Sequence, residues 1–167
     1  ALKADNYDDN LHIYTNPGPH RVGIVGMFDK GIEMAPTDII FAFHADMVAA
    51  KHLDVNTLKH LNKKTVVCST RIEPPLHPEG PEKIIQDYGV EPKDFKMKQW
   101  MDECESFMKD NVTSGVFAPW CMYKEDFISV GGHDVFFSRE SSVDSDLINR
   151  FLLSGYELIQ SWDSLVF

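Results

Sequence analysis

The sequence predicts a mixed α/β domain, from three observations. Ile39-Ile40-Phe41-Ala42-Phe43 is an uninterrupted apolar run, short and rich in β-formers, the pattern of a buried strand. Thr65-Val66-Val67-Cys68-Ser69-Thr70 repeats that signature. Residues 93–110 carry Met97, Trp100, Met101, Cys104, Phe107 and Met108 at steps of three and four, one apolar stripe of a helix.

The remaining elements follow in order. Residues 1–21 are polar and turn-rich, broken by Asn16-Pro17-Gly18-Pro19, and read as an irregular lead-in. Residues 22–35 have helical spacing through Val22, Val25, Met27, Ile32 and Met34, and Pro36-Thr37-Asp38 closes them. The strand at 39–43 is expected to be central in the sheet. Residues 53–61 form a helix with Leu53, Leu58 and Leu61 on one side and Asp54 near its start. Pro74-Pro75-Leu76-His77-Pro78 cannot continue a ladder and is loop. Residues 116–123 read as a strand interrupted by Pro119, and 124–130 as a short helix ending at Gly131-Gly132. Ser142 is placed to cap a helix over 143–154, Gly155 stops it, and 156–162 is the last strand.

Composition bounds the function. The 167 residues fit one domain, 1–167, and the hydrophobic share of 43%, with eleven Phe and three Trp, fills a core. The formal charge of -10 repels a phosphate backbone, so nucleic acid is not an expected partner. No stretch is apolar for long enough to span a bilayer, and the polar start lacks the core of a signal peptide. Cys68, Cys104 and Cys121 have no metal-type spacing, and their low, odd count suits a reducing compartment. The expectation is a cytoplasmic protein, at most peripheral to a membrane.

Few residues stand out as chemistry. Asp46 follows a buried-type strand, where a carboxylate can hold a hard cation; from spacing alone, capping the next helix is the favoured reading. His44 shares its side of the chain if the strand continues. Asp144 and Asp146 sit at a helix start, where the dipole favours acids; the functional reading makes one a general base. Arg150 is spaced to pair with Asp146. Gly131-Gly132-His133-Asp134 is a loop that lets a substrate approach closely, or an ordinary turn.

Taken in order, these pieces resemble family 2 GT-A glycosyltransferases. Asp29-Lys30-Gly31-Ile32-Glu33-Met34-Ala35 resembles the family helix N-x-G-I-x-x-A, and His44-Ala45-Asp46 after its strand resembles the Asp-any-Asp metal motif. Phe127 to Asp134 resembles F-x-x-x-G-G-F-D, and Val143 to Arg150 with Gly155-Tyr156 resembles E-D-x-D-L-x-x-R…G-Y. The resemblance covers about Gly23 to Phe167. It implies a GT-A-like, Rossmann-like mixed sheet with flanking helices. By it Asp46, with His44, holds Mn²⁺ or Mg²⁺ against the nucleotide diphosphate, and Asp144 is the general base. Gly131, Gly132, His133, Asp134 and Asp146 belong to the substrate pocket, Asp146 with Arg150 supporting it. The implied partners are a nucleotide-diphosphate sugar and a glycan, lipid or protein acceptor.

Three departures qualify the match. His44 replaces the first Asp of the metal motif, and Val143 replaces the Glu before Asp144. The family's first strand and nucleotide-binding loops have no counterpart in these residues. The sheet is therefore expected to be incomplete at its N-terminal side, and the isolated chain to self-associate or to leave a sheet face uncovered, since central strands lose neighbours and expose unpaired edges. The competing readings are a non-catalytic sugar- or acceptor-binding module and an unrelated metal-dependent hydrolase using His44, Asp46 and Asp144.

Overall fold

The computed structural model describes residues 11–19, 23–76, 78–115, 117–137 and 143–167. Helix α1 (Gly23–Met34) leads into strand β1 (Ile39–Ala42). Helix α2 (Leu53–Leu58) precedes the long strand β2 (Thr65–Glu73), and β3 (Lys83–Ile85) is a short third strand. Helix α3 (Met97–Glu103) tightens into a 3-10 turn, Cys104–Phe107. Strands β4 (Val112–Ser114) and β5 (Trp120–Tyr123) follow, then α4 (Lys124–Ser129), α5 (Val143–Leu153) and β6 (Glu157–Val166). Among the described residues no helix is long and apolar enough to cross a membrane.

All six strands form one open mixed sheet in the order β1-β5-β2-β6-β4, with β3 on β2. β5 is antiparallel to both β1 and β2, and β6 is parallel to β2, so β1, β2 and β6 point the same way. β6 holds one edge of β2 as far as Arg71, so β3, paired at Arg71–Glu73, takes the other edge beyond β5. β2 is central because its first six residues, Thr65 to Thr70, are all apolar or hydroxyl-bearing and all buried. The expected mixed α/β class with flanking helices is what the chain forms.

Two clusters fill the interior. Ile40, Val66, Met122, Phe127, Leu147 and Phe151 join one sheet face to α4 and α5, with Ile32 of α1. Trp100, Tyr88, Ile72, Cys104 and Leu165 join α3 to the ends of β2 and β6. The opposite sheet face is covered by α2 through hydroxyls: Thr57 Oγ1, Ser164 Oγ and Ser69 Oγ form a chain at 2.6 and 2.7 Å. All three cysteines are buried and free. Burial pushes the Cys68 thiol up to about 11 and that of Cys121 up to about 12.

Four expectations need correction. β1 is an edge strand among the described residues, not a central one, because nothing described pairs beyond it. The helix expected over 93–110 is α-helical only at Met97–Glu103. Its front is drawn away by a hydrogen bond from Lys96 N to Tyr88 O, and its end by Lys109 N to Trp162 O on β6. The apolar stripe survives because Trp100 and Cys104 stay buried across the change to a tighter turn. β3 and β4 were not anticipated; each has three residues, too few for an alternation to register. β6 passes the expected end at Trp162: the ladder slips between Ser69/Thr70 and Ser161/Leu165, so Trp162 to Ser164 bulge out before pairing resumes. The lead-in over 11–19 has no regular structure; residues 1–10, 20–22 and Ser142 lie outside the described residues.

Candidate functional site

The carboxyl end of β1 turns at once. Met47 N donates to His44 O at 3.3 Å, closing a turn that leaves Asp46 exposed. Asp46 caps no helix: α2 begins at Leu53, and its N-cap position is His52, in a left-handed conformation with no side-chain cap. The capping reading of Asp46 is therefore overturned. His44 is half-buried, its ring 5.4 Å from that of Phe28 on α1.

Helix α1 runs back to the start of β1, so its first half lies toward the strand's carboxyl end. Its C-terminal carbonyls lack intrahelical partners. Lys124 Nζ supplies them, donating to Glu33 O and Ala35 O at 2.8 Å each. One ammonium thus fastens α1 to the start of α4.

The Gly131–Asp134 loop is clamped against the same helix. His133 N donates to Asp29 Oδ2 at 3.2 Å, and His133 Nδ1 lies 2.5 Å from Asp29 Oδ1. The imidazole is buried, with ring centroids of Phe127, Trp120 and Phe28 at 5.5, 6.4 and 6.5 Å. Gly132 makes the approach possible. At φ +64 an added Cβ would stand 3.2 Å from the Phe127 ring and 3.3 Å from Asp29 Oδ2. Asp134 is exposed, and its Oδ1 accepts Phe136 N at 2.8 Å.

Helix α5 carries the third group. Asp144 is exposed in the first turn, where the unpaired amides favour an anion. Asp146 Oδ2 accepts Arg150 Nε at 2.9 Å and Nη2 at 2.7 Å, the pairing expected from the spacing. Arg150 Nη1 also donates to Val130 O at 2.5 Å, so this pair ties α5 to the end of α4 beside Gly131. The turn from α5 into β6 is closed by the Phe151 and Tyr156 rings, 5.0 Å apart.

The residues split into two kinds. Asp29, His133, Asp146 and Arg150 are taken up by internal partners and shape the loop. Asp46, Asp134 and Asp144 are exposed carboxylates. Asp29 was not anticipated as a site residue. A signal existed: Asp29 stands where the resembled pattern has Asn, and His133 where it has Phe. The two departures meet in space as one pair.

Beside the site, a groove of about 770 Å³ runs between α1 and β1 and reaches Phe43, one residue before His44. Among the described residues no group of three His, Cys, Asp or Glu side chains gathers to hold a metal. No protein-family profile matches the chain, and no curated protein matches it.

Proposed function

We propose that this chain is a metal-dependent glycosyltransferase domain of the GT-A type, moving a sugar from a nucleotide-diphosphate sugar to an acceptor hydroxyl with inversion. The observation that carries the reading is Asp46: exposed, free of any capping role, in a turn at the carboxyl end of β1. Ligands of open α/β sheets bind outside that end of the strands. The three ordered motifs support the same reading.

The donor set fits a cation shared with substrate rather than a resident one. Asp46 and His44 offer two ligands at most, and Mg²⁺-like ions complete their shell with substrate phosphates and water. When bound, such a cation neutralises the charge of the leaving diphosphate. The chain's own residues do the rest. Asp144 accepts the proton of the acceptor hydroxyl as it attacks the anomeric carbon. The Asp29–His133 and Asp146–Arg150 pairs hold the Gly131–Asp134 loop in place so that the acceptor meets a fixed wall.

A second reading, an acceptor-binding module without turnover, is favoured by the internal pairing of Asp29 and Asp146, which removes two carboxylates from chemistry. One experiment separates them. The 167-residue chain is incubated with a panel of nucleotide-diphosphate sugars, with Mn²⁺, Mg²⁺ or chelator. Metal-dependent release of nucleoside diphosphate supports the transferase. Acceptor glycan binding with no release under any condition supports the module and sinks the transferase.

A further inference from the structure

We propose that Arg71 forms a binding site for the carboxylate of an acidic sugar, on the same rim of the sheet as Asp46. That the ligand carries a carboxylate rests on how the guanidinium is held. That the carboxylate sits on a sugar rests on the proposed function.

The position follows from strand pairing. Ala42 of β1 and Cys68 of β2 both register with Trp120 of β5, which runs antiparallel between them. Arg71 and Asp46 therefore both lie beyond that row on the carboxyl side, on strands about 10 Å apart. Ligands of open α/β sheets gather outside such ends. Arg71 also stands where β2 changes neighbours. Ser69 N still donates to Pro119 O at 3.2 Å, and from Arg71 onward β2 pairs with β3. The loop before Pro119 passes this gap with Phe117 against Arg71.

The guanidinium is fixed by two contacts. Its Cζ lies over the Phe117 ring, 4.7 Å from the centroid, and its Nη1 lies 3.0 Å from Glu73 Oε1. The edge made by Nε and Nη2 is left over. Nε is buried without a hydrogen-bond partner, and Nη2 has none among the described residues. A buried N–H without an acceptor is rare and costly. Glu73 cannot turn wholly to Arg71, because its Oε2 accepts Lys83 Nζ at 2.8 Å. One carboxylate thus serves two cations.

These features select the ligand. The N–H groups of Nε and Nη2 are parallel and match the two oxygens of one carboxylate. Glu73 stands beside them, and Glu82 Oε1 lies 4.0 Å from Lys83 Nζ. Both acids oppose a doubly charged phosphate about twice as strongly as a singly charged carboxylate. Phe117 is 43% exposed, so part of its ring offers an apolar surface next to the guanidinium, where a sugar ring can lie.

Isothermal titration of the full chain, with chelator present and ionic strength held constant, tests this with sodium glucuronate, sodium acetate, inorganic phosphate and glucose. Glucuronate is expected to saturate and to bind at least about tenfold more tightly than the other three. Arg71→Gln is expected to weaken glucuronate about tenfold or more with the melting curve kept. Arg71→Lys keeps a charge beside Glu73 but lacks the paired edge, and is expected to weaken binding as much; it decides the matter if Arg71→Gln does not fold. Lys93→Gln removes an exposed cation elsewhere and is expected to bind like the parent. The proposal is overturned if glucuronate does not saturate, or if acetate, phosphate or glucose binds as tightly. Unchanged glucuronate binding by Arg71→Lys overturns it as well. The titration holds no metal and scores no turnover, so its failure and that of the transferase reading are told apart.

Discussion

The two ends of the sheet treat their polar groups in opposite ways. Around β6 and α2, polar side chains point at one another. Asp163 is buried on the β6 bulge and meets Lys59 Nζ, Ser161 Oγ and, at 3.3 Å, His60 Nε2. Its backbone carbonyl accepts Asn56 Nδ2 at 2.6 Å. Around β1 the polar groups point outward: Asp46 is exposed in its turn, and among the described residues the strand pairs on one side alone. Two aspartates, one in a bulge within β6 and one in the turn after β1, thus have opposite fates. The closed end is built for stability. The open end leaves its carboxylate to solvent.

If the closed end carries stability, cutting its core should cost most. Trp100 is fully buried, donates Nε1 to Ala49 O at 3.3 Å and packs its ring 5.4 Å from Tyr88 and 6.1 Å from Phe167. Trp100→Ala is expected to destabilise by about 3–5 kcal/mol, read from denaturant unfolding. A cost under about 1 kcal/mol would mean that this end is not where the fold is anchored.

Asp163→Asn comes next, at about 2 kcal/mol, because it removes a charge that accepts hydrogen bonds from a buried position. The loss should depend on pH. Burial alone would raise the Asp163 carboxyl, but the hydrogen bonds from Lys59 and Ser161, with the charges of Lys59 and His60, more than offset it and hold the pKa below the ordinary value. A depressed folded pKa gives stability that is present above the unfolded value of about 3.9 and lost as pH falls through the folded one. Melting curves of the two proteins should therefore differ at pH 7 and converge in strong acid. Parallel curves across that range would contradict the pairing.

How legible each end was follows from what encodes it. α1, α4 and α5 were readable because their stops are local: Pro36 follows the end of α1, and Gly131, Gly132 and Gly155 take positive φ where α4 and α5 end. The Asp163 network was not readable. It depends on a ladder slip between β2 and β6, residues nearly a hundred positions apart, and no pattern within β6 announces it. The edge position of β1 was missed for a related reason. An apolar run signals burial of side chains, and Ile40 and Ala42 are buried, but it says nothing about whether backbone groups find a second strand. In the candidate site, Asp46 and Asp144 were readable as carboxylates after a strand and before a helix. The clamp on His133 joins α1 to a loop 104 positions away and was not.

That clamp gives a smaller effect, between the two ends in kind. Asp29→Ala leaves the buried His133 Nδ1 and backbone amide without their acceptor, but Asp29 itself is half-exposed and water can partly substitute. The expected cost is about 1 kcal/mol, or about 3 °C in melting temperature. His133→Phe with Asp29→Asn, which exchanges both members together, should recover most of it. If the double variant loses as much as the sum of the single ones, the two residues are not coupled and the loop is held by other contacts.

The smallest effect on stability should come from Asp144→Asn, and it sharpens the contrast most. Asp144 is exposed, and its side chain has one structural task available, to oppose the helix dipole at the start of α5. Neutralising it should cost about 0.5 kcal/mol or less. Catalysis is a different matter under the proposed function. A carboxylate that must take the acceptor proton cannot be replaced by an amide, and loss of a general base lowers turnover by about a hundredfold or more. Asp144→Asn should therefore melt like the parent while metal-dependent transfer falls away, the reverse of Asp163→Asn, which should melt early and keep its rate per folded molecule. The informative failure is a crossed one. If Asp144→Asn transfers sugar at the parent rate, the residue is a dipole partner and the base lies elsewhere on the rim. If it unfolds several degrees early, the first turn of α5 belongs with the closed end of the molecule, and the division between an end that stabilises and an end that reacts does not hold at α5.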